Sequence, residues 1–259
     1  MNSNPWIVHR TQNLQARIRL FCFHHAGGAA NVFRGWQARL PKSVELCPVQ
    51  LPGHSTRMDE PLVRRLDHLT EQAIAGLLPE LGQPFAFFGH SMGGLLAFQI
   101  ARELQHRGLS GPEHLFVAAR VAPSVSLRNR VLHDLSDREL VEEIGNRYSA
   151  IPKEIANDPE LLALLLPALR ADFEIHETYL HRPGPPLRCP ISVYGGTRDR
   201  SVKEEELDSW RQETEGRFSK EMFDGDHFFI HADAAPFMGA LSGALTAIVR
   251  RANLFLAGA

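Results

Sequence analysis

Residues Phe85 to Gly94 read FAFFGHSMGG. Four apolar, mostly aromatic residues run into a serine that has Gly89 two positions before it and Gly93 two positions after it. A loop that happens to contain a serine needs neither the aromatic run nor the glycines; a sharp strand-to-helix turn needs both. Phe85–Phe88 is apolar without a break, as a strand covered on both faces of a parallel sheet must be. The following LLAFQIARELQ, Leu95–Gln105, carries apolar residues at three- and four-residue spacing, the period of a helix. At such a turn the serine's backbone is strained, so the residues two before and two after must be small. Ser91 is therefore expected where strand becomes helix, with the free N–H groups of the helix that begins at Met92 aimed at it. The bare pattern arises by chance in about one chain in ten of this length, so its flanks decide: with them the stretch matches the strand–turn–helix pattern of a nucleophile elbow, as α/β-hydrolases have it.

Outward from the elbow, β-like and helix-like runs alternate. Strands are expected at Arg17–Phe23, Val44–Gln50, Phe85–Phe88, Leu115–Ala119, Ile191–Tyr194 and Phe218–Phe223. Helices are expected at Phe33–Leu40, Leu66–Leu81, Met92–Gln105, Val202–Glu213 and Ala235–Arg250. That alternation predicts a mostly parallel sheet with helices on both faces. It is interrupted from about 124 to 186 by a purely helical stretch, Ser136–Arg147 with a Ser136/Glu139 capping signature and then Asp158–Leu180. The proline- and glycine-rich HRPGPPLRCP closes the interruption. The expectation is one α/β-hydrolase domain over 1–259 with a helical lid inserted at about 124–186. Most leucines of LLALLLPALRADF, Leu161–Phe173, are expected on the inner face of the lid helices.

Composition sets the setting. The chain has 259 residues, enough for one sizeable core, with 44% hydrophobic and 22% charged residues. A net charge of −2 offers no overall basic field for nucleic acid. Cys22, Cys47 and Cys189 lie in or beside strand-like runs and read as buried thiols, which suits a reducing cytoplasm. MNSNPWIVHR has no apolar core of a secretion signal, and LLALLL is too short to span a bilayer. A cytoplasmic protein with no membrane association is expected.

A serine hydroxyl needs a base, and the base needs an orienting carboxylate. In this fold they follow in the order Ser, Asp or Glu, His. Of thirteen histidines, His227 stands out, because DGDHFFIH sits between the last strand and the last helix; His231 is the runner-up. GGTRDRSV puts Asp199 on the loop after the strand ISVY, where it could also simply cap the next helix. An oxyanion hole takes one donor from Met92 N–H and a second from the loop FHHAGGAAN, Phe23–Asn31, at Ala26 N–H. No Gly-Lys-Ser/Thr follows that glycine pair, which excludes a phosphate loop.

The blocks FHHAGGAA, VQLPGHSTRMDEP, GHSMGG, LLPALRADFEIHETY, CPISVYGGTRD and FDGDHFF, in this order, resemble over nearly the whole length the type II thioesterases that accompany non-ribosomal peptide and polyketide synthases. The resemblance implies hydrolysis of acyl thioesters on the phosphopantetheine arm of carrier proteins. It carries the catalytic roles onto Ser91, Asp199 and His227, with no metal and no cofactor other than the pantetheine arm of the partner. The chain departs from the family's pattern at His24, where proline is usual, and at His54, where arginine is usual. Asp226 replaces a glycine before His227, and Ala119-Arg120 stands where a Ser/Gly-Arg pair is commoner. Carrier proteins are acidic, so Arg120, Arg128 and Arg130 are expected as docking residues at the site mouth, with His25 against the substrate or carrier arm. The protein is expected to act as a monomer. Rival expectations are a carboxylester hydrolase or lipase, an acyltransferase with the same triad, and a non-catalytic carrier-binding module.

Overall fold

The computed structural model describes residues 4–10, 12–125, 131–148, 158–231 and 234–257. Six strands, β1 (Ile18–Phe23), β2 (Val44–Pro48), β3 (Phe85–His90), β4 (Leu115–Ala118), β5 (Ile191–Gly196) and β6 (Phe218–Phe223), form one sheet in the order β2-β1-β3-β4-β5-β6. Every neighbouring pair is parallel. The register sets Phe23 beside Gly89 and His90 beside Ala118, so the carboxyl ends of the central strands are level.

All six residues of β3 are buried, because alternate side chains feed two separate cores. Phe21, Phe23, Phe85 and Phe87 pack with Leu69 and Ala73 of α1 (Leu66–Leu77) and Leu95 and Phe98 of α2 (Met92–His106). Leu20, Cys22 and Phe88 point the other way, onto Trp36 and onto Phe237 and Leu241. The last two belong to the C-terminal helix, Ala235–Ala257. Phe98 is 1% exposed and meets Trp210 edge-on at 5.4 Å; truncating such a ring to alanine costs about 3–5 kcal/mol.

Between β4 and β5 lie α3 (Asp137–Tyr148) and α4 (Pro159–Glu177). Ser136 Oγ accepts from Glu139 N, and the Glu139 carboxylate accepts from Ser136 N at 3.2 Å, the reciprocal cap expected from the sequence. Asp158 caps α4 by accepting from Glu160 N and Leu161 N. The two helices close a third, smaller core of Leu132, Leu140, Ile144, Leu166, Leu169 and Phe173. The C-terminal helix Ala235–Ala257 is α5.

Three expectations need correction. Phe33–Leu40 is not one helix but two 3-10 turns, Ala30–Phe33 and Trp36–Arg39, parted by Gly35 at φ 83°. The segment before β6 is a 3-10 helix, Glu204–Glu213, rather than an α-helix from Val202. Leu161, Leu164 and Leu165 are 42%, 59% and 38% exposed, so the start of α4 turns much of its leucine run to solvent and only its later half faces inward. Cys22 and Cys47 are buried, and Cys189 is half-buried. No described helix is long and apolar enough to cross a membrane.

Candidate active site

Ser91 is the hinge between β3 and α2, at φ 54° and ψ −116°. A non-glycine residue in that region stores roughly 1–3 kcal/mol of strain, held only where its surroundings fix it. Here Ser91 N donates to Ala118 O at 2.8 Å, and Ser91 O accepts from Gly94 N at 3.0 Å. The glycines are required by space. A Cβ at Gly89 would run into the backbone of Gly93 and Gly94, and one at Gly93 into the carbonyls of Phe23 and His24.

His227, in the turn after β6, and Asp199, in the loop after β5, meet through a 2.8 Å contact between Nδ1 and Oδ2. Their side chains are 4% and 1% exposed. The hydrogen bond to a carboxylate places the imidazole proton on Nδ1 and leaves Nε2 as the free acceptor. Burial works against the Asp199 charge, but the hydrogen bonds from His227 and Ser201 outweigh it and hold the carboxyl below its ordinary value. Asp199 also does what a capping residue does: Oδ1 accepts from Ser201 N at 2.8 Å and Val202 N at 3.2 Å. One oxygen anchors the loop and the other orients the base.

Ser201 is a member of this cluster that the motifs did not reveal. Its hydroxyl lies 2.7 Å from Asp199 Oδ1 and 3.0 Å from His227 Nδ1. The only sequence signal is the Asp-x-Ser spacing of RDRSV, which is common in turns.

Ser91 and His227 line one cavity of about 110 Å³, together with Ala26, Arg120, Leu169 and Phe173. Among the described residues no group accepts a hydrogen bond from Ala26 N–H or Met92 N–H. The neighbouring amides are occupied, Gly27 N by Asp172 Oδ2 at 2.8 Å and Gly28 N by His25 O at 3.0 Å. The cavity therefore has beside it a hydroxyl, an oriented imidazole and two backbone donors without acceptors, a set able to attack an acyl carbonyl and hold its oxyanion.

A second buried pair supports the loop that carries Ala26. His54 Nε2 is 3.0 Å from Asp172 Oδ2, the oxygen that also receives Gly27 N–H. Burial pulls the His54 pKa down, but the Asp172 carboxylate pulls it up and prevails. Sequence reading noted His54 only as a departure from the family and did not pair it.

Arg120 is not at an exposed mouth, which corrects the docking expectation. The chain turns at Ala119, φ 53°, and Arg120 is 7% exposed within the cavity wall, its carbonyl accepting from Trp210 Nε1 at 2.7 Å. Among the described residues its Nε has no partner, and burial lowers its pKa to about 10. Arg128 and Arg130 lie outside the described residues. His25 lines the cavity, with its ring 5.1 Å from His90 and 5.0 Å from Phe228. His231 is exposed, and Asp199 pairs with His227 rather than with it. Asp226 turns its carboxylate to Phe228 N at 2.8 Å.

A parallel sheet with a strained serine at its central strand end, and a His–Asp pair brought from two later loops, is the arrangement of the α/β-hydrolase fold. Residues 18–242 match the family described as Thioesterase domain, and the chain belongs to the thioesterase family, a hydrolase of thioesters. It is 37% identical over 228 residues to the gramicidin S biosynthesis protein GrsT of Aneurinibacillus migulanus, covering 88% of this chain and 89% of that protein. The thioesterase RedJ from the prodiginine biosynthetic pathway in Streptomyces coelicolor superposes with a TM-score of 0.84 at 35% identity, over 90% of this chain and 92% of RedJ. The type II thioesterase BorB from the borrelidin biosynthetic cluster gives 0.81 at 35% identity, over 96% and 98%.

Proposed function

We propose that this protein is a type II, editing thioesterase that releases acyl groups from the phosphopantetheine arms of carrier proteins in a non-ribosomal peptide or polyketide synthase. The relatives in gramicidin, prodiginine and borrelidin biosynthesis support that setting. The observation that carries the mechanism is the 2.8 Å His227–Asp199 contact beside the cavity that Ser91 lines.

Ser91 Oγ attacks the thioester carbonyl and His227 Nε2 takes its proton. Asp199 holds the ring and stabilises the imidazolium. Ala26 N–H and Met92 N–H receive the oxyanion, each such donor being worth roughly 3 kcal/mol of barrier. The pantetheine sulfur leaves and takes the proton back from His227; a thiol of pKa about 8.5 is a far better leaving group than an amine. His227 then activates water, which attacks the acyl-serine, and the free acid departs as Ser91 is reprotonated. The helices α3 and α4 act as the lid over this chemistry, with Ile144, Leu169 and Phe173 in the cavity wall. Arg128 and Arg130 remain candidates for docking the acidic carrier protein. The enzyme works in the cytoplasm as a monomer, with no cofactor of its own.

Intact-mass detection tests the reading. Incubation with an acetyl-carrier protein should add an acyl group to Ser91 that is absent in Ser91→Ala, a variant expected to stay folded with turnover near background. An oxygen ester cleaved faster than its matched pantetheine thioester would make the enzyme a carboxylester hydrolase instead. Transfer of the acyl group to an added amine or alcohol would make it a transferase.

A further inference from the structure

His25, His90 and His231 come from three elements, the loop after β1, the last position of β3 and the turn after β6. Their ring centroids form a triangle with sides of 5.1, 5.7 and 5.8 Å. One nitrogen from each lies within 4.8 Å of the others. Phe228 packs on all three rings, at 5.0, 5.5 and 6.0 Å, and fixes their mutual placement.

The hydrogen bonds orient these rings as ligands. His90 is fully buried, and its Nε2 donates to the His227 carbonyl at 2.8 Å. The proton is therefore on Nε2 and the lone pair on Nδ1, the usual state of a metal-binding histidine whose other nitrogen is tied to a backbone carbonyl. That Nδ1 is 3.3 Å from His25 Nδ1, and a tetrahedral metal with Zn–N of about 2.0–2.1 Å separates its ligands by about 3.3 Å. Two ligands are thus already at coordination spacing. The third, His231, is exposed and has only to swing inward, which also gives a metal its route in.

We propose that His25, His90 and His231 form a binding site for a divalent cation of the zinc class and that filling it arrests turnover. Three imidazoles with no carboxylate select Zn²⁺, Cu²⁺ or Ni²⁺ over Mg²⁺ or Ca²⁺. On binding, the hydrogen shared between the two Nδ1 atoms passes to His25 Nε2, and no net proton is lost. The coupling to activity is direct: His90 adjoins Ser91 and holds the His227 carbonyl, and His25 forms the cavity wall beside Ala26. A cation drawing these rings together shifts both the nucleophile's neighbour and the base.

Calorimetric titration of the EDTA-treated, dialysed full chain with ZnCl₂ tests the site. One Zn²⁺ per chain is expected, with affinity at least about 10-fold weaker in His231→Ala and His231→Gln, comparable to the losses seen when metal sites are disturbed. MgCl₂ should give no binding. In EDTA both variants should hydrolyse an acyl-pantetheine thioester at the wild-type rate, and should then need at least about 10-fold more Zn²⁺ for half-inhibition. Equal Zn²⁺ affinity in wild type and His231→Ala, or no binding up to millimolar ZnCl₂, would overturn the proposal. A wild-type protein inactive in EDTA towards every thioester would instead strike the proposed function and leave the binding result standing.

Discussion

Asp172 Oδ2 accepts from two partners at once, Gly27 N at 2.8 Å and His54 Nε2 at 3.0 Å, and so ties α4 to the loop that carries the Ala26 amide. An arginine at position 54 would keep a permanent charge beside Asp172. A histidine does not. Because the folded pKa of His54 is raised above the ordinary 6.5, its contribution to stability is complete below about 6.5 and is lost as pH rises through the raised value. The melting temperature of wild type should therefore exceed that of His54→Gln most at pH 6 and by a shrinking margin through pH 8 and above. A margin that widened with pH would refute the pairing. Asp172→Asn keeps the shape but removes the charge, and should lower kcat about 10-fold with little change in KM, as expected where only the oxyanion donor is loosened.

Asp199 and Ser201 divide the work of holding His227. Asp199→Asn should leave the ring in the wrong tautomer and lower kcat about 10⁴-fold. Ser201→Ala removes only an auxiliary hydrogen bond, worth about 0.5–1.5 kcal/mol, so a kcat loss of about 3- to 10-fold is expected. Steady-state rates on one acyl-pantetheine substrate compare the two. A Ser201→Ala loss as large as that of Asp199→Asn would mean that the serine, not the carboxylate, sets the ring.

The contrast between these residues shows what could be read from sequence. The elbow was legible because its determinants are local: an apolar strand, glycines at two-residue offsets and a helical period all fall within about twenty positions of Ser91. Asp199 and His227 were reachable because the fold assigns them to loops after known strands. His54 and Asp172 were not, being 118 residues apart with no motif that joins them. Arg120 was misplaced for a general reason: arginine is almost always at the surface, and nothing local says that the turn at Ala119 leaves this one in a cavity wall. The broken helix at Phe33–Leu40 follows from the left-handed backbone of Gly35, a property of the folded turn that helical periodicity does not report.

Gly93 tests the elbow sterically. A methyl group there meets the carbonyls of Phe23 and His24, backbone atoms of β1 and its loop that cannot turn aside as a side chain can. Gly93→Ala should either fail to accumulate as folded protein or lose about 3 kcal/mol or more of stability, in the range of severe core overpacking. Gly82→Ala, at a position with nothing within 4 Å, is the control and should melt within a degree or two of wild type. Equal melting of the two variants would mean that β1 and α2 do not meet as tightly as the packing around the strained serine requires.

Arg120 separates stability from activity. Among the described residues its buried guanidinium has no partner at Nε, and the influences on it besides burial are the phenols of Tyr148 and Tyr179 rather than a carboxylate. An uncompensated charge in such a place destabilises the fold, so an apolar side chain of similar length should be tolerated or favoured, by about 1–4 kcal/mol on the evidence of buried ionic groups replaced in this way. The Trp210 bond is kept, since it goes to the Arg120 backbone carbonyl. Arg120→Met is therefore expected to melt at or above the wild-type temperature while its turnover falls, because the polar wall of the acyl cavity has been removed. Thermal melts and steady-state rates on one acyl-pantetheine substrate, run side by side, decide it. A variant that melted well below wild type would show that Arg120 has a charged partner that holds the site together, and the cavity's only buried guanidinium among the described residues would then be structural.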